Sequence, residues 1–301
     1  MPHEHPLPAP TNRIVRSTHF KKRRQVLKRQ KSAARRARHA EEEALGDAAP
    51  PRREPTTIES SRVFDAETGA PLTREQALAI TDEFTPVLAG DVRPRVVITT
   101  GLRPSDVSFD FVKALLPVLP KSIYFERLDA SVAEFAASAA GKGYTDVVLV
   151  KEDRGALSTL THVHLPEGPT AVYKLSSFVP NAKIKGRGRC TGHTPEVILN
   201  HFTTRLGLRV GRMLGSLFPH EPNFVGRQVA TFHNQRDFIF FRFHRYVFTA
   251  ERDRARLQEL GPRFTLKLRA LQKGVFMDPQ KADHEFKWKT KTDIDRRRFF
   301  L

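Results

Sequence analysis

An internal repeat relates the second and third thirds of this sequence. Residues 167–178 (EGPTAVYKLSSF) return as residues 260–271 (LGPRFTLKLRAL), with Gly-Pro and Lys-Leu at the same internal spacing. Each copy follows an alternating segment that a polar turn interrupts, at 147–166 in the first half and at 229–248 in the second. Both halves therefore have the same series of elements, and we expect a duplicated fold.

Each copy is also preceded by a strand-like and then a helix-like run, at 96–119 and at 197–218. This order of elements predicts a layered α/β or α+β fold. A duplicated α/β unit without a catalytic signature indicates a binding scaffold. The elements expected in the first half are a strand at 96–99, a helix from Ser105 or Ser108 through Leu116, a helix from the capping box of Ser131 and Glu134 to about Ala140, and paired strands at 146–151 and 158–165.

The same residues carry a resemblance to a known family. Residues 97–105 (VITTGLRPS) resemble the opening of a Brix domain, and further segments look like one branch of that family, its ribosome production factors. The resemblance covers roughly residues 56–301. The segments that carry it are 203–207, 211–213, 216–220, 226–237 and 259–264 within the domain, and 57–59, 62–65, 81–84 and 294–298 outside it.

The resemblance implies one Brix domain made of two similar α/β halves, each similar to the anticodon-binding domain of some tRNA synthetases. It also implies a nucleolar protein that binds precursor ribosomal RNA during assembly of the large (60S) subunit. The implied partners include other large-subunit assembly factors and ribosomal proteins in the pre-60S particle. The expected segments are a basic disordered tail (1–55), an extension (56–92), the first half (93–180), a basic glycine-containing linker (181–195), the second half (196–276) and a basic C-terminal extension (277–301).

The composition independently favours a polyanionic partner. The chain has 51 Lys and Arg residues against 33 acidic residues, a formal charge of +18 and a pI near 10.4. Residues 1–55 hold 14 basic and 6 acidic residues, a net charge of +8, which leaves +10 for the remainder. Because the excess charge is present in both parts, we expect the folded part to bind nucleic acid as well.

Other classes of protein fit the sequence less well. A single cysteine, Cys190, cannot form an intramolecular disulfide, and no apolar run approaches the roughly 20 residues of a membrane helix. We therefore expect a soluble intracellular protein. His162 and His164 alternate along a strand without further zinc ligands nearby, and we interpret them as exposed strand histidines. The sequence has neither a nucleotide-binding loop nor a nucleophile elbow, so we expect no catalysis, no cofactor and no small-molecule substrate.

The basic tail contains the first group of candidate RNA-binding residues. Residues 13–38 include 12 Lys or Arg and no acid. In isolation these charges repel one another and favour disorder, whereas phosphates would allow the segment to become a helix. The alternative is a nuclear-import signal and solubilising tail. The candidates here are Lys21, Lys22, Arg23, Arg24, Lys28 and Arg29.

The predicted helix from Arg205 to Phe218 has three distinct faces. One is apolar and is expected to be buried, one is basic, and one consists of glycines that allow close approach of a neighbour. The basic face is interpreted as either a phosphate clamp or a solvated surface. The three faces are Leu206, Val210, Met213, Leu214 and Leu217; Arg205, Arg209 and Arg212; and Gly207, Gly211 and Gly215.

Residues 237–248 predict an aromatic strand with two different sides. At a period of two residues, Ile239, Phe241, Phe243 and Val247 form the core side. The other side, formed by Phe240, Arg242, His244 and Tyr246, has the aromatic and basic mixture that stacks on unpaired bases and contacts phosphates. The alternative is a sheet face covered by the other half or by a protein partner.

Further basic residues complete the candidate set. Residues 183–189 (KIKGRGR) are flexible enough to follow an irregular RNA backbone, although a linker needs no further explanation. Arg263 and Lys267 share one face of a repeat strand and either present cations or line solvent. The candidates outside the tail and the helix are Arg187, Arg189, Arg227, Arg236, Arg242, Arg245, Arg263 and Lys267.

Two other functions remain open at this point. A protein-interaction adaptor would use its basic charge only for nuclear import and solubility. A tRNA-binding module would prefer tRNA to precursor ribosomal RNA. Salt-dependent RNA affinity separates the adaptor from the RNA-binding protein, because phosphate contacts weaken steeply as the salt concentration rises.

Overall fold

The computed structural model describes residues 12–46, 55–64, 69–221, 223–249, 254–276, 282–289 and 297–301. The chain forms two compact units, residues 1–57 and residues 58–301. None of the helices in the described ranges is both long enough and apolar enough to cross a membrane.

The first unit contains one long helix, α1 (Arg13–Leu45). The side chain of Asn12 caps it by accepting a hydrogen bond from the backbone of Ile14 at 2.9 Å. No residue of α1 is buried. The helix differs from the disordered tail expected from the charge of this segment. Its sequence explains the difference, because it contains no Pro or Gly and is rich in Ala, Gln and Leu, which favour helix. The remaining tail residues, 1–11 and 47–54, lie outside the described residues.

The second unit combines five helices and eleven strands among its described residues. The strand, helices and strand pair expected in the first half are all confirmed, and Ser131 and Glu134 form the expected capping box. The helices are α2 (Arg74–Leu78), α3 (Thr85–Leu88), α4 (Asp106–Leu115), α5 (Val132–Gly141) and α6 (Arg205–Gly215). The strands are β1 (Val96–Thr100), β2 (Ile123–Tyr124), β3 (Asp146–Asp153), β4 (Ala156–His164), β5 (Thr170–Val179), β6 (Glu196–Asn200), β7 (Gln228–Gln235), β8 (Phe238–Phe248), β9 (Ala255–Glu259), β10 (Arg263–Gln272) and β11 (His284–Lys287).

These strands form one mixed sheet in the order β2-β1-β3-β4-β5-β10-β8-β7-β6, with β9 beside β8 and β11 beside β10. Each half has the same pattern. The first strand of each half pairs in parallel with a later strand, β1 with β3 and β6 with β7. Two antiparallel pairings follow, β3 with β4 and β4 with β5 in the first half, and β7 with β8 and β8 with β10 in the second. The two copies of the repeat are β5 and β10, which pair antiparallel at the centre of the sheet. The duplication expected from the sequence is therefore present in the strand order.

The main core lies between one face of this sheet and the helices α4 and α6. Phe111 of α4 and Met213 of α6 are fully buried in the same apolar cluster as Tyr173 and Phe241 of the sheet. A smaller cluster on the opposite face holds α5 against the first half, through Ala136 and Ala139. The first half is thus covered on both faces.

The apolar face and the glycine face of α6 match the sequence pattern. Val210, Met213 and Leu214 are buried, and a Cβ placed on Gly207 would lie 2.5 Å from the backbone of Leu301. The glycines thus allow close approach, as expected. The assignment of Val247 to the core is wrong, because this side chain is 50% exposed. It lies on the part of β8 that pairs with the edge strand β9.

Residues N-terminal to β1 pack onto this domain. Arg62 donates hydrogen bonds to the carbonyl oxygens of Phe299 and Leu301, and Pro71 forms a bridge with Thr204. Phe84 is fully buried and its ring lies 4.9 Å from that of His164. Phe84, from the segment expected to be an extension laid over the domain or over a partner, is therefore part of the core.

The interpretation of His162 and His164 as exposed histidines is wrong. Both are buried, together with Asp146 of the neighbouring strand. His162 Nε2 and His164 Nδ1 lie 2.9 and 2.8 Å from the same oxygen of Asp146, and Thr145 donates to its other oxygen at 2.7 Å. The alternation was read correctly, but these positions face α4 and Phe84 rather than solvent. A buried carboxylate and its hydrogen-bond partners therefore replace the expected solvated surface.

This cluster predicts a pH dependence of stability. Burial lowers the pKa of His164, but the hydrogen bond and charge of Asp146 and the nearby Glu83 raise it by more, so the pKa lies above its ordinary value. A raised pKa in the folded state stabilises the fold fully below about pH 6.5, and this contribution is lost as the pH rises through the folded pKa. We expect the difference in free energy of unfolding between wild type and His164→Asn to be larger at about pH 5.5 than at about pH 8.5. Urea unfolding of both proteins at the two pH values measures this difference in free energy. If the difference were larger at the higher pH, the raised pKa of His164 would be contradicted.

Candidate nucleic-acid interface

The sheet face opposite α6 is basic and aromatic. In the first half α5 covers the equivalent face, but no helix of the described residues covers it in the second half. Side chains at alternate positions of β5, β10, β8 and β7 project there, because the residues before and after them belong to the core on the other face. We call this surface the open sheet face. It comprises Lys174, Arg263, Lys267, Phe240, Arg242, His244, Thr231 and His233.

Two lysines meet at its centre. Lys174 of β5 is directly opposite Lys267 of β10 in the antiparallel register. Like charges placed opposite each other on neighbouring strands destabilise a sheet. Lys174 is exposed, and the ammonium group of Lys267 lies 4.8 Å from the centre of the Phe238 ring. The carboxylate of Asp237 interacts electrostatically with Lys267. A phosphate bound beside both ammonium groups would add negative charge next to Lys174 as well, so the site is suited to an anion.

Two arginines extend the positive charge along the same face. Arg263 binds Glu259 through two nitrogens, at 2.6 and 2.5 Å, which neutralises much of its charge. Arg242 donates to the backbone oxygen of Phe241 at 2.8 Å and lies opposite Thr231. Burial lowers the pKa of Arg242 and the charge of Glu259 raises it in part, but an arginine remains charged at neutral pH. Lys174, Lys267 and Arg242 are thus the main cations of this face.

Aromatic rings lie between these cations. Phe240 is half-buried and faces Thr265 on one neighbouring strand and His233 on the other. Burial lowers the pKa of His233, as does the charge of His201, whose ring lies 4.8 Å away. Burial likewise lowers the pKa of His244. Both histidines are therefore neutral at neutral pH, and they offer ring faces rather than charge. Rings flanked by cations are suited to unpaired nucleotides, whose bases stack and whose phosphates bind the cations.

A second group of candidates meets where the linker between the halves approaches β8. Arg245 donates to the backbone oxygen of Arg189 at 3.1 Å, and the backbone oxygen of Arg227 accepts from Tyr246 at 3.0 Å. Arg187, Arg189 and Arg227 are exposed. We call Arg187, Arg189, Arg227 and Arg245 the linker cluster. The structure brings these four predicted residues together, although the sequence separates them by up to 58 positions.

The predicted phosphate clamp on α6 has partners within the protein. Arg212 binds both oxygens of Asp82 at 2.7 Å, and Arg209 binds Glu83 and Glu285 at 2.7 Å each. Arg205 of the same helix is exposed. Arg209 and Arg212 therefore form neither a solvated face nor an open clamp, because carboxylates of the segment before α3 and of β11 already occupy them. Arg236, on the turn after β7, is exposed and lies 3.5 Å from Glu59.

The six tail candidates all lie on α1. Lys21, Lys22, Arg23, Arg24, Lys28 and Arg29 are exposed there. Their helix belongs to the first unit.

Sequence reasoning missed Lys174, although a signal for it was present. The Lys-Leu pairs of the repeat are Lys174-Leu175 and Lys267-Leu268, and only Lys267 was selected. Equivalent residues of a duplicated strand face each other when the two copies pair antiparallel about their centre. The carboxylates of Asp82, Glu83 and Glu259 were missed as well. Glu259 is only four residues from Arg263, but no local pattern connects Asp82 and Glu83 with their arginines.

Comparison with known proteins identifies relatives over most of the chain. The sequence pattern of the Brix domain matches residues 101–270. Ribosome production factor 1 of Xenopus laevis is 48% identical over 262 residues, which are 86% of this chain and 76% of that protein. Ribosome production factor 1 of Saccharomyces cerevisiae is 44% identical over 209 residues, 69% of each chain. A solved structure described as a probable ribosomal biogenesis protein from Aeropyrum pernix K1 aligns with a TM-score of 0.44 at 17% identity, over 58% of this chain and 96% of that one.

Proposed function

The chain belongs to the Brix domain family, and from this premise we propose that it is a ribosome biogenesis factor that binds precursor ribosomal RNA. The observation that supports RNA binding most directly is the open sheet face. There, Lys174 and Lys267 lie directly opposite each other on neighbouring strands, and Phe240 and Arg242 lie alongside. This arrangement combines phosphate-binding cations with rings that stack on bases.

Several finer parts of the proposal follow from the relatives and from the sequence. We propose that the protein acts on the large (60S) subunit in the nucleolus, in a pre-60S particle with other assembly factors and ribosomal proteins. Its role there is non-enzymatic: it holds an RNA segment and contacts neighbouring proteins. The net charge of +18 supports association with a particle made largely of RNA.

One observation favours a protein-binding role in addition. The hairpin of β8 and β9 ends in exposed apolar side chains, with Val247 50%, Phe248 52% and Leu257 62% exposed. Apolar groups of this size that cluster on a surface commonly mark contacts with other proteins. Phe248 and Leu257 lie on the same side of this hairpin as Tyr246, whereas Val247 projects to the other side. The adaptor function therefore has a candidate surface at the end of the hairpin, adjoining the open sheet face.

Charge removal on the open sheet face tests the proposal. We expect the triple variant Lys174→Gln, Arg242→Gln and Lys267→Gln to bind a labelled unpaired precursor-rRNA oligonucleotide on the order of tenfold more weakly than wild type at moderate salt. The slope of log affinity against log salt should shrink by up to about 2, since each phosphate contact on a single strand contributes about 0.7. Fluorescence anisotropy across a salt series measures both quantities.

A matched variant controls for the loss of charge. Lys113, Lys121 and Arg154 are exposed cations elsewhere on the domain, and their replacement by Gln removes the same charge. If the two triple variants weakened RNA binding equally, RNA affinity would depend on net charge alone and not on the open sheet face. Unchanged RNA affinity together with loss from the particle would favour the adaptor, and a preference for tRNA over precursor rRNA would favour the tRNA-binding module.

A further inference from the structure

The basic residues of α1 are not spread evenly around the helix. Six of them follow one another at alternating intervals of three and four residues, which places them in one row along a helix. We call this row the cationic stripe. It consists of Lys21, Arg24, Lys28, Lys31, Arg35 and Arg38.

The stripe is long, straight and exposed. It extends over about 25 Å of helix axis, at 1.5 Å per residue. All six side chains are exposed, and no acidic residue occurs on α1 before Glu41. Opposite the stripe, the helix presents Val15, Val26, Ala33 and Ala37 together with two cations, Lys22 and Arg29. The stripe is thus the longest row of cations on the helix, and Lys22, Arg29 and Arg36 form a shorter row at intervals of seven residues.

This spacing is unfavourable unless an anion is bound. Like charges three and four residues apart destabilise a helix, and the stripe contains five such neighbouring pairs. At the C-terminal end of the stripe, Arg38 lies 3.9 Å from Glu42. A regular row of phosphates would neutralise the remaining charges together. A charge requirement for nuclear import or solubility would need basic residues, but it would not need them in one row.

Resting on the proposed function, we infer that the cationic stripe of α1 binds the phosphate backbone of double-stranded RNA. A duplex offers rigid, regular rows of phosphates along its length, which match a rigid row of cations, whereas an unpaired strand must first be ordered. Side chains cannot read bases in the deep, narrow major groove of an RNA duplex. The stripe consists of Lys and Arg alone, so its binding is independent of sequence. The open sheet face and α1 thus take different forms of RNA.

Two triple variants of the full chain separate the stripe from the total charge of α1. The stripe variant is Lys21→Gln, Lys28→Gln and Arg35→Gln. The control is Lys22→Gln, Arg29→Gln and Arg36→Gln, which removes the same charge from the same helix, one position further along in each case. Glutamine preserves helix propensity in both. The probes are a labelled RNA hairpin with a stem longer than α1 and a labelled unpaired oligonucleotide of the same length.

We expect the stripe variant to bind the hairpin on the order of tenfold more weakly at moderate salt, with a salt slope smaller by up to about 2.7. For the control we expect hairpin affinity to fall by less than about threefold and the salt slope to shrink by less than about one. Affinity for the unpaired oligonucleotide should fall with the open-face variant and change little with the stripe variant. Equal losses in the stripe and control variants, or unchanged hairpin affinity with impaired nuclear entry, would overturn the inference. Neither result would affect the open-face experiment, so the two proposals fail separately.

Discussion

Replacement of Asp146 by alanine is expected to lower the free energy of unfolding by about 3–5 kcal/mol. Asp146 is fully buried and accepts hydrogen bonds from His162 and His164 at 2.9 and 2.8 Å. Without the carboxylate, two buried imidazoles lose their partner, and the hydroxyl of Thr145 loses its acceptor as well. Breaking a buried pair from one side costs more than the pair contributes, because the remaining polar groups stay desolvated.

The charge state of this cluster adds a second expectation for the same residue. Burial raises the pKa of Asp146, but the hydrogen bonds and charges of His162 and His164 lower it by more, so the pKa lies below its ordinary value. A depressed pKa stabilises the folded state above the unfolded value of about 3.8, and this contribution is lost as the pH falls through the folded pKa. Together with the raised pKa of His164, the pair contributes most between about pH 4 and pH 6.5.

Urea unfolding of Asp146→Ala measures the loss, with Asp153→Ala as its control. Asp153 ends the same strand but is exposed, and its loss should change the free energy of unfolding by less than about 0.5 kcal/mol. If both variants unfolded at the same urea concentration as wild type, the cluster would contribute nothing to stability.

Much of the fold could be predicted from the sequence because its information is local and repeated. Alternating apolar residues and the Ser131 capping box locate strands and a helix independently of the rest of the chain. The repeat then predicts that the second half follows the first. The sequence did not predict that the two repeat strands, β5 and β10, pair with each other, because this pairing depends on how the two halves pack together.

The candidate site was harder to predict, because alternation distinguishes two sides of a strand but does not say what covers each side. His162 and His164 share a side, and that side faces the core since Phe84, about 80 residues upstream, packs against it. Val247 is expected on the same side of β8 as Phe243, yet it is 50% exposed whereas Phe243 is buried. An open face can be recognised only once the positions of the helices are known.

The role of the basic face of α6 could not be predicted from the sequence either, because it depends on ion pairs with distant residues. The spacing of Arg205, Arg209 and Arg212 predicts a basic face, and from sequence alone their joint replacement should change folding little. In the structure the carboxylate of Asp82, whose side chain is only 6% exposed, depends on Arg212. The residues that decide the role of this face are Asp82, Glu83 and Glu285, which lie between 76 and 130 positions from their arginines and carry the opposite charge.

We therefore expect the double variant Arg209→Gln and Arg212→Gln to lower the free energy of unfolding by roughly 2–3 kcal/mol, while RNA affinity of the folded protein stays near that of wild type. The loss arises because Asp82 is left nearly buried without its bidentate partner. Arg205→Gln, on the same helix but exposed, should change stability by less than about 0.5 kcal/mol. Denaturant unfolding and RNA anisotropy below the unfolding transition measure the two properties separately. A double variant that retained its stability but lost RNA affinity and salt slope would restore the phosphate clamp and show that Asp82 and Glu83 release these arginines to RNA.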